Sequence, residues 1–436
     1  MNKIGKSTQF NKLLYIKRYI TKFHVKGGRK MNMLKSMLKL PLMVKILIGL
    51  IIGVILGLVV PQAKIVSIFG ILFVGGLKGI APLLVFTVVI SSLANASGKL
   101  GKRFVSVIFL YLFSTLSAAI IAVFASFMFP LTIQLGDSVE ASAPGDLNTI
   151  FNGIIAGAMQ NPFAAIAEAN YVAVLVWAIM LGLALKSFAS DNFKSILQNI
   201  SDAVSEVVRW IINFAFFGIM GLVYDAVSTN GMAIFKDYGQ LILLIVGTMA
   251  VVTFISNPLI VAANLKHNPY PLVFKCLKES GITAFFTRSS AANIPVNMNL
   301  CEKLGLDRDF YSVSIPLGST VNMDGAAVVI TIMTLTATNT LGINVSLISA
   351  ILLSIIATVG ACGTSGVAGG SLLLIPMACS MFGISNDIAM QVVGVGFILS
   401  VIQDSCETAI NSSADVLFTA TAEFKEWIKA GKKLPI

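Results

Sequence analysis

Six stretches of this 436-residue chain stay apolar for the length of a membrane crossing: 43–61, 66–91, 104–130, 169–187, 205–225 and 239–264. About 20 apolar residues span ~30 Å of hydrocarbon as a helix, and a backbone at that depth can satisfy its own polar groups only as a helix or a closed barrel. Two further stretches, 310–338 and 385–420, are apolar but interrupted by polar clusters. Only 12% of the chain is charged, against roughly 25% in soluble domains, which excludes an ordinary water-soluble enzyme. At 56% apolar residues and a mean hydropathy of +0.88, disorder is excluded as well. The five cysteines (276, 301, 362, 379, 406) form no C-x-x-C pair, and His24 and His267 lie far apart, which argues against a disulfide framework or a zinc site.

Positive charge orients the spans. Lys99, Lys102 and Arg103 follow the second; Lys186 and Lys194 the fourth; Lys266 the sixth; Lys425, Lys429, Lys432 and Lys433 the last. The stretch 131–150 after the third span carries Asp137, Glu140 and Asp146 and no Lys or Arg. Eight spans with both termini cytoplasmic satisfy every loop, provided that 270–302 and 344–382 each enter and leave the membrane on one side. Each is then a re-entrant hairpin, the first from inside and the second from outside. The first has a small, polar tip (Arg288-Ser289-Ser290-Ala291-Ala292) and precedes the interrupted span 310–338; the second, with tip 360–371, precedes the interrupted span 385–420. Opposite entry sides make the two units an inverted repeat, and non-helical backbone at that depth marks this half as the place for a site.

The seventh span contains Gly318-Ser319-Thr320-Val321-Asn322-Met323-Asp324-Gly325. A carboxylate there is costly unless compensated. The flanking glycines permit local unwinding, which frees carbonyls for a small cation, and Asn322 and Asp324 add side-chain oxygens. An all-oxygen set suits a hard ion such as Na⁺. The alternative is a buried polar knot that only joins helices. In the eighth span Asp404, Thr408, Asn411 and Asp415 fall at i, i+4, i+7 and i+11, one helical stripe, with Glu407 beside it. Three carboxylates on that face require cations; Asp415 reads as a second cation ligand, unless the chain has already left the membrane by 411–420. Asp404 and Thr408 suit an ammonium group and a hydroxyl or carboxylate. The glycine-rich tip 360–371 lacks the Gly-Lys-Ser/Thr ending of a phosphate loop. Its bare backbone can cradle a carboxylate and an ion, or hinge as a gate, or simply pack closely. Tyr111, Ser114 and Thr115 form a polar face on the third span that on its own reads as helix–helix glue. Arg209 reads as snorkelling, and Lys78 has no account.

At these residues the chain resembles the dicarboxylate/amino acid:cation symporter family, with its glutamate-transporter-like fold, and within it the bacterial sodium-coupled serine/threonine symporters. The likeness covers about 36–424 and rests on Thr287-Arg288-Ser289-Ser290, Asn322-Met323-Asp324-Gly325, the glycine tip, and Asp404 through Asp415. It implies an all-α polytopic membrane protein of eight transmembrane helices and two re-entrant hairpins, a homotrimer, and a scaffold beside an elevator-like transport domain. Tyr111, Ser114, Thr115, Asn322 and Asp324 resemble one sodium site; Asp415 with the backbones of Gly318, Asn322 and Asn411, a second; and the carbonyls of Thr320, Ala361, Cys362 and Thr364, a third. Asn411 and the serines Ser289 and Ser290 would hold a substrate carboxylate, Asp404 and Thr408 its ammonium, with Val367 closing over it. The implied division is a basic cytoplasmic segment 1–40, scaffold at 41–103 and 131–238, transport elements at 104–130 and 239–422, and a cytoplasmic tail 423–436.

Departures from the family pattern sharpen the substrate. Acidic-substrate members carry arginine where this chain has Glu407 and threonine where it has Ala326. A carboxylate at 407 repels an acidic side chain. Glu407 could pair with Arg288 or accept a substrate hydroxyl, so Arg288, Ala326 and Glu407 form the expected selectivity set. Ala291, Ala368 and Ser400 stand where the pattern has serine, proline and aspartate. The expectation is sodium-coupled import of serine and threonine across a bacterial cytoplasmic (inner) membrane, with co-transported Na⁺ and no other cofactor. Acidic amino acids or dicarboxylates are the alternative. An intramembrane enzyme would need an activated nucleophile or a catalytic metal set, and no span contains a histidine.

A net charge of +11 would suggest nucleic acid in a soluble protein, but nine of those charges lie in 1–30, leaving +2 (11 less 9) for the rest. That leader reads either as a segment attracted to anionic lipid or as sequence upstream of a true start at Met31. N-terminal sequencing of the native protein distinguishes them, and no nucleic-acid partner is expected.

Overall fold

The structure, a computed structural model, describes residues 42–95, 102–135, 159–362 and 368–435. The leader 1–40, the acidic stretch 136–150, Lys99, and the hairpin residues Thr364 and Val367 lie outside the described residues. Among the described residues there are helices and no β-strands.

The amino-terminal helices are α1 (Leu42–Val59), α2 (Ser67–Asn95) and α3 (Lys102–Met128). After a short α4 (Pro162–Ala167) come α5 (Tyr171–Phe188), α6 (Asp191–Asn213) and α7 (Ala215–Asn230). At 18 residues each, α1 and α5 are about 27 Å long, just enough for a bilayer core. The long helix α8 (Ile234–Leu265) contains a π-helical turn at Val252–Ser256.

The expected fifth span, 205–225, is not one helix. The chain breaks at Phe214, where α6 and α7 meet at a 55° bend. Hydropathy runs straight through this point, since 210–216 holds neither Gly nor Pro. Packing sets the break instead. Helix α6 is amphipathic: Ser201, Ser205, Val208 and Ile212 are buried, while Asp202 and Arg209 are exposed. Its first turns bind the end of α2, with Ser91 Oγ donating to Gln198 Oε1 (2.8 Å) and Asn95 Nδ2 to the Lys194 carbonyl (3.3 Å). Arg209 pairs on this polar face with Glu206 at 2.9 Å.

Helix α7 turns away to meet α1 along a ladder of small residues. Gly49, Gly53 and Gly57 recur every four residues, and an ideal Cβ on them would lie 2.4 Å from the Phe216 carbonyl oxygen, 2.6 Å from that of Met220 and 2.9 Å from Val227 Cβ. Small residues at this spacing let helix backbones touch, which is how apolar helices associate when no hydrophobic driving force separates them from lipid. Gly53→Leu is therefore expected to force α1 from α7 and to cost about 1–3 kcal/mol, read as a lowered melting temperature in detergent.

The carboxy-terminal half begins with a helical hairpin. Its first arm, α9, runs through 270–287 with a π turn at Leu277–Gly281, and its second is α10 (Ser290–Lys303). The chain reverses at Arg288, in the left-handed region (φ 52°), and at the extended Ser289, whose Oγ caps the Ala292 N–H at 3.2 Å. The expected unwinding of the seventh span is present: α11 (Arg308–Val321) stops, Asn322 and Met323 are non-helical, and α12 (Asp324–Thr340) resumes. A second hairpin joins α13 (Leu347–Ala361) to α14 (Ser371–Ser380). Its arms cross closely, since a Cβ on Gly360 would lie 2.3 Å from Met377 Cε.

The last span is one continuous helix, as the single stripe of Asp404, Thr408, Asn411 and Asp415 requires. Helix α15 (Asn386–Lys429) runs 44 residues without interruption. Its polar residues break the hydropathy but not the backbone: Asp404, Glu407, Asn411 and Asp415 bond laterally to neighbouring segments, and hydroxyls such as that of Thr408 bond back to α15 itself. Asp415 is fully buried in it, so 411–420 has not emerged into water.

Two packing groups result. Helices α1, α2, α5, α6 and α7 pack on one another; α3 packs with α8, α11, α12, α13 and α15, α14 packs on α12 and α15, and the first hairpin lies against α15. The groups meet where Phe73 of α2 sits edge-on to Phe397 of α15 (centroids 5.1 Å apart) and where Lys78 of α2 pairs with Asp387 at the start of α15. Lys78 thus has a partner that only the tertiary structure supplies.

Candidate functional site

The break between α11 and α12 lies against α15 on one side and α3 on the other. Three polar clusters form there.

The first surrounds Asp324. Ser114 Oγ and Thr115 Oγ1 donate to its Oδ1 (2.8 and 3.2 Å), and Ser114 Oγ also lies 3.2 Å from Asn322 Oδ1. Thr115 Oγ1 in turn accepts the Met323 N–H at 3.2 Å, which holds the broken strand of backbone against α3. All five groups are buried. The spacing of Ser114 and Thr115 therefore serves more than helix contact: both hydroxyls converge with an amide oxygen and a carboxylate. Of Tyr111, the carbonyl is near Ser114 (3.1 Å), while its hydroxyl turns away towards the Ser314 and Asp415 carbonyls and Thr419 Oγ1. One member was missed. Asn257 of α8 is buried and donates from Nδ2 to Asp324 Oδ2 at 2.8 Å, with its own Oδ1 unpartnered. The only hint was Ser256-Asn257-Pro258 inside the apolar run 239–264.

The second cluster surrounds Asp415. Asn322 Nδ2 donates to Asp415 Oδ1 and to the Asn411 carbonyl, each at 3.1 Å. A Cβ on Gly318 would fall 2.9 Å from Asp415 Oδ1 and 2.8 Å from the Tyr111 hydroxyl, so the glycine backbone lies directly beside the carboxylate. Asp415 Oδ2 is buried and accepts no hydrogen bond. A buried carboxylate oxygen without a donor is costly unless a cation meets it, and the surrounding carbonyls are hard oxygen donors. The expected third set is only partly described: Cys362 Sγ donates to the Val321 carbonyl (3.3 Å), so the end of α13 reaches the break beside Thr320, and Ala361 is buried next to it.

The third cluster involves both hairpin tips. Arg288 Nε donates to Asp404 Oδ2 at 2.6 Å, with both side chains buried. Asp404 Oδ1 accepts the Gly369 N–H of the second hairpin at 3.0 Å. The pairing entertained between Arg288 and Glu407 does not form, because Glu407 is held elsewhere: its Oε2 accepts Ser371 Oγ at 2.7 Å and Gln403 Nε2. Thr408 Oγ1 donates back to the Asp404 carbonyl at 2.7 Å, and Asn411 Oδ1 accepts the Gly325 N–H at 2.7 Å. Ser290 is buried at the start of α10, and Ala326 is buried one residue beyond Gly325.

The first hairpin is fastened behind these clusters. Asn293 and Asn297 of α10 bond Ser280 of α9 and Ser412 of α15 at 2.5–3.3 Å, all four buried.

A family model described as the sodium:dicarboxylate symporter family matches residues 42–423. The serine/threonine transporter SstT of Bifidobacterium adolescentis is 57% identical over 377 residues, covering 86% of this chain and 88% of that protein. Those of Streptococcus thermophilus (54% over 374 residues; 85% and 93%) and Streptococcus agalactiae (57% over 367; 84% and 91%) are similar to it over nearly the same extent.

Proposed function

The chain belongs to the sodium:dicarboxylate symporter family, and from that membership we propose that it is a sodium-coupled symporter importing serine and threonine. It is a transporter rather than an enzyme, as its relatives are. The observation that carries the coupling is the unpartnered, fully buried Oδ2 of Asp415 among main-chain and amide oxygens, close to a second oxygen cluster at Asp324. Sodium binds in these two clusters, and in a third formed by Thr320, Ala361, Cys362 and Thr364. The ion is cargo that leaves with the substrate.

The substrate lies between the hairpin tips and α15. Its carboxylate meets Asn411, Ser289 and Ser290; its ammonium meets Asp404 and Thr408; Val367 closes over it. Because Arg288 occupies Asp404 in this structure, the arriving ammonium competes with the guanidinium, and Arg288 keeps an unpartnered buried Nη1 with which to bind elsewhere. Two carboxylates, Asp404 and Glu407, and a single arginine make this end of the site unfavourable for an acidic side chain.

The architecture is eight membrane spans and two re-entrant hairpins in inverted repeat, in a multi-pass protein of the bacterial inner membrane with both termini cytoplasmic. Three copies assemble. Helices α1, α2 and α5–α7 form the scaffold, and α3 with α8–α15 moves against it as the transport domain. The separate packing of the two groups supports this division.

Substrate class is decided by competition for labelled serine uptake in proteoliposomes. Excess threonine is expected to abolish uptake and excess aspartate to leave it intact. Inhibition by aspartate but not by threonine would instead assign acidic substrates.

A further inference from the structure

Glu407 is the carboxylate to which the proposed reading gives substrate selection, yet a glutamate on a helix has three rotatable bonds and selects nothing unless it is aimed. Its surroundings aim it. The stem is wedged against the restart of the seventh span: an ideal Cβ on Gly325 would lie 2.8 Å from Glu407 Cα and 3.0 Å from its Cγ. At the tip, two donors from different elements fall on one oxygen. Gln403 lies one helical turn before Glu407 on α15 and donates to Oε2. Ser371, the first residue of α14 just past the glycine tip, donates to the same Oε2 at 2.7 Å. All three side chains are buried. Both donors converge on one oxygen, and Oε1 receives neither of them.

The geometry points to Ser371 and Gln403 as the residues that position Glu407, so that its Oε1 accepts the hydroxyl of serine or threonine. Gln403 acts within α15 and is constant. Ser371 belongs to the second hairpin, so the selective orientation is complete only when that hairpin is seated on α15. Asp404 accepting the Gly369 N–H, two residues earlier, fastens the same segment. Neither residue touches substrate; both act through Glu407. The inference rests on the serine/threonine reading and adds the means by which the hydroxyl is sensed.

The test compares half-saturation for serine with the inhibition constant of alanine against labelled serine uptake, in proteoliposomes of the full chain. Ser371→Ala and Gln403→Met are each expected to raise the serine value about five- to tenfold while the alanine constant moves little, since losing one aligned hydrogen bond is a tenfold-scale effect. Ser371→Thr keeps the hydroxyl and is expected to retain the serine preference. If the serine-to-alanine ratio stays at its original value in Ser371→Ala or Gln403→Met, or if Ser371→Thr loses it as fully as Ser371→Ala does, the positioning role is overturned. Glu407→Leu separates the two levels. A ratio unchanged in that variant means that Glu407 does not read the hydroxyl, and the failure then lies with the underlying reading of the substrate.

Discussion

Replacing Asp415 by Asn is expected to raise the sodium concentration for half-maximal serine uptake at least tenfold. Its Oδ1 already accepts Asn322 Nδ2, so an asparagine there keeps its carbonyl oxygen on that bond and turns its NH₂ into the place of Oδ2. A donor then faces the point where a cation would sit. The lost attraction is of order 4 kcal/mol for unit charges 4 Å apart near a protein surface, and tenfold requires only about 1.4 kcal/mol. Asp324→Asn should weaken sodium dependence too, but with a cost in stability. Both Asp324 oxygens are hydrogen-bonded, so an amide must turn its NH₂ either to the two hydroxyls, which then have to accept, or to Asn257, whose side-chain amide then has to flip. Sodium titrations of uptake, with detergent melting read alongside, distinguish the two. An Asp415→Asn protein with an unshifted sodium curve would remove that residue from the ion path.

The second large effect concerns selectivity. Glu407→Arg combined with Ala326→Thr is expected to raise half-saturation for serine more than about tenfold and to make aspartate a competitor, because a repelling carboxylate becomes a bidentate partner for one. Removing Glu407 also strands Ser371 Oγ and Gln403 Nε2, whose acceptor it is. If serine transport survived the double substitution intact and aspartate stayed inert, electrostatics at position 407 would not set the substrate.

Much of the candidate site was legible in the chain because its chemistry is expensive. Asp324 and Asp415 stand in apolar runs where a carboxylate needs a purpose, the glycines around Asn322 marked the place where the helix lets go, and the stripe Asp404–Thr408–Asn411–Asp415 followed from helical spacing alone. What escaped was decided by packing. The bend at Phe214 has no Gly or Pro to announce it. Asn257 is a single polar residue in a long apolar helix, and only the fold brings it to Asp324. Arg288 read as a partner for Glu407; the reversal at Arg288 and Ser289 delivers it to Asp404 instead, while Ser371 and Gln403 occupy Glu407. Lys78 looked unaccounted for because its partner lies 309 positions along the chain. The glycine ladder 49–53–57 was present at a readable period, yet its meaning depends on the facing helix α7. Along the last span the stripe was readable, but the lateral partners of Asp404, Asn411 and Asp415 were not, since they come from other segments.

The central claim is that sodium entry drives amino-acid entry through this one site. Purified protein in proteoliposomes, given labelled serine at equal concentration on both sides, tests it most directly when an inward sodium gradient is imposed with the membrane potential clamped. Serine should accumulate inside above its external concentration and return to equality when the gradient is collapsed by a sodium ionophore. Equal serine on both sides throughout, with or without the gradient, would contradict the account.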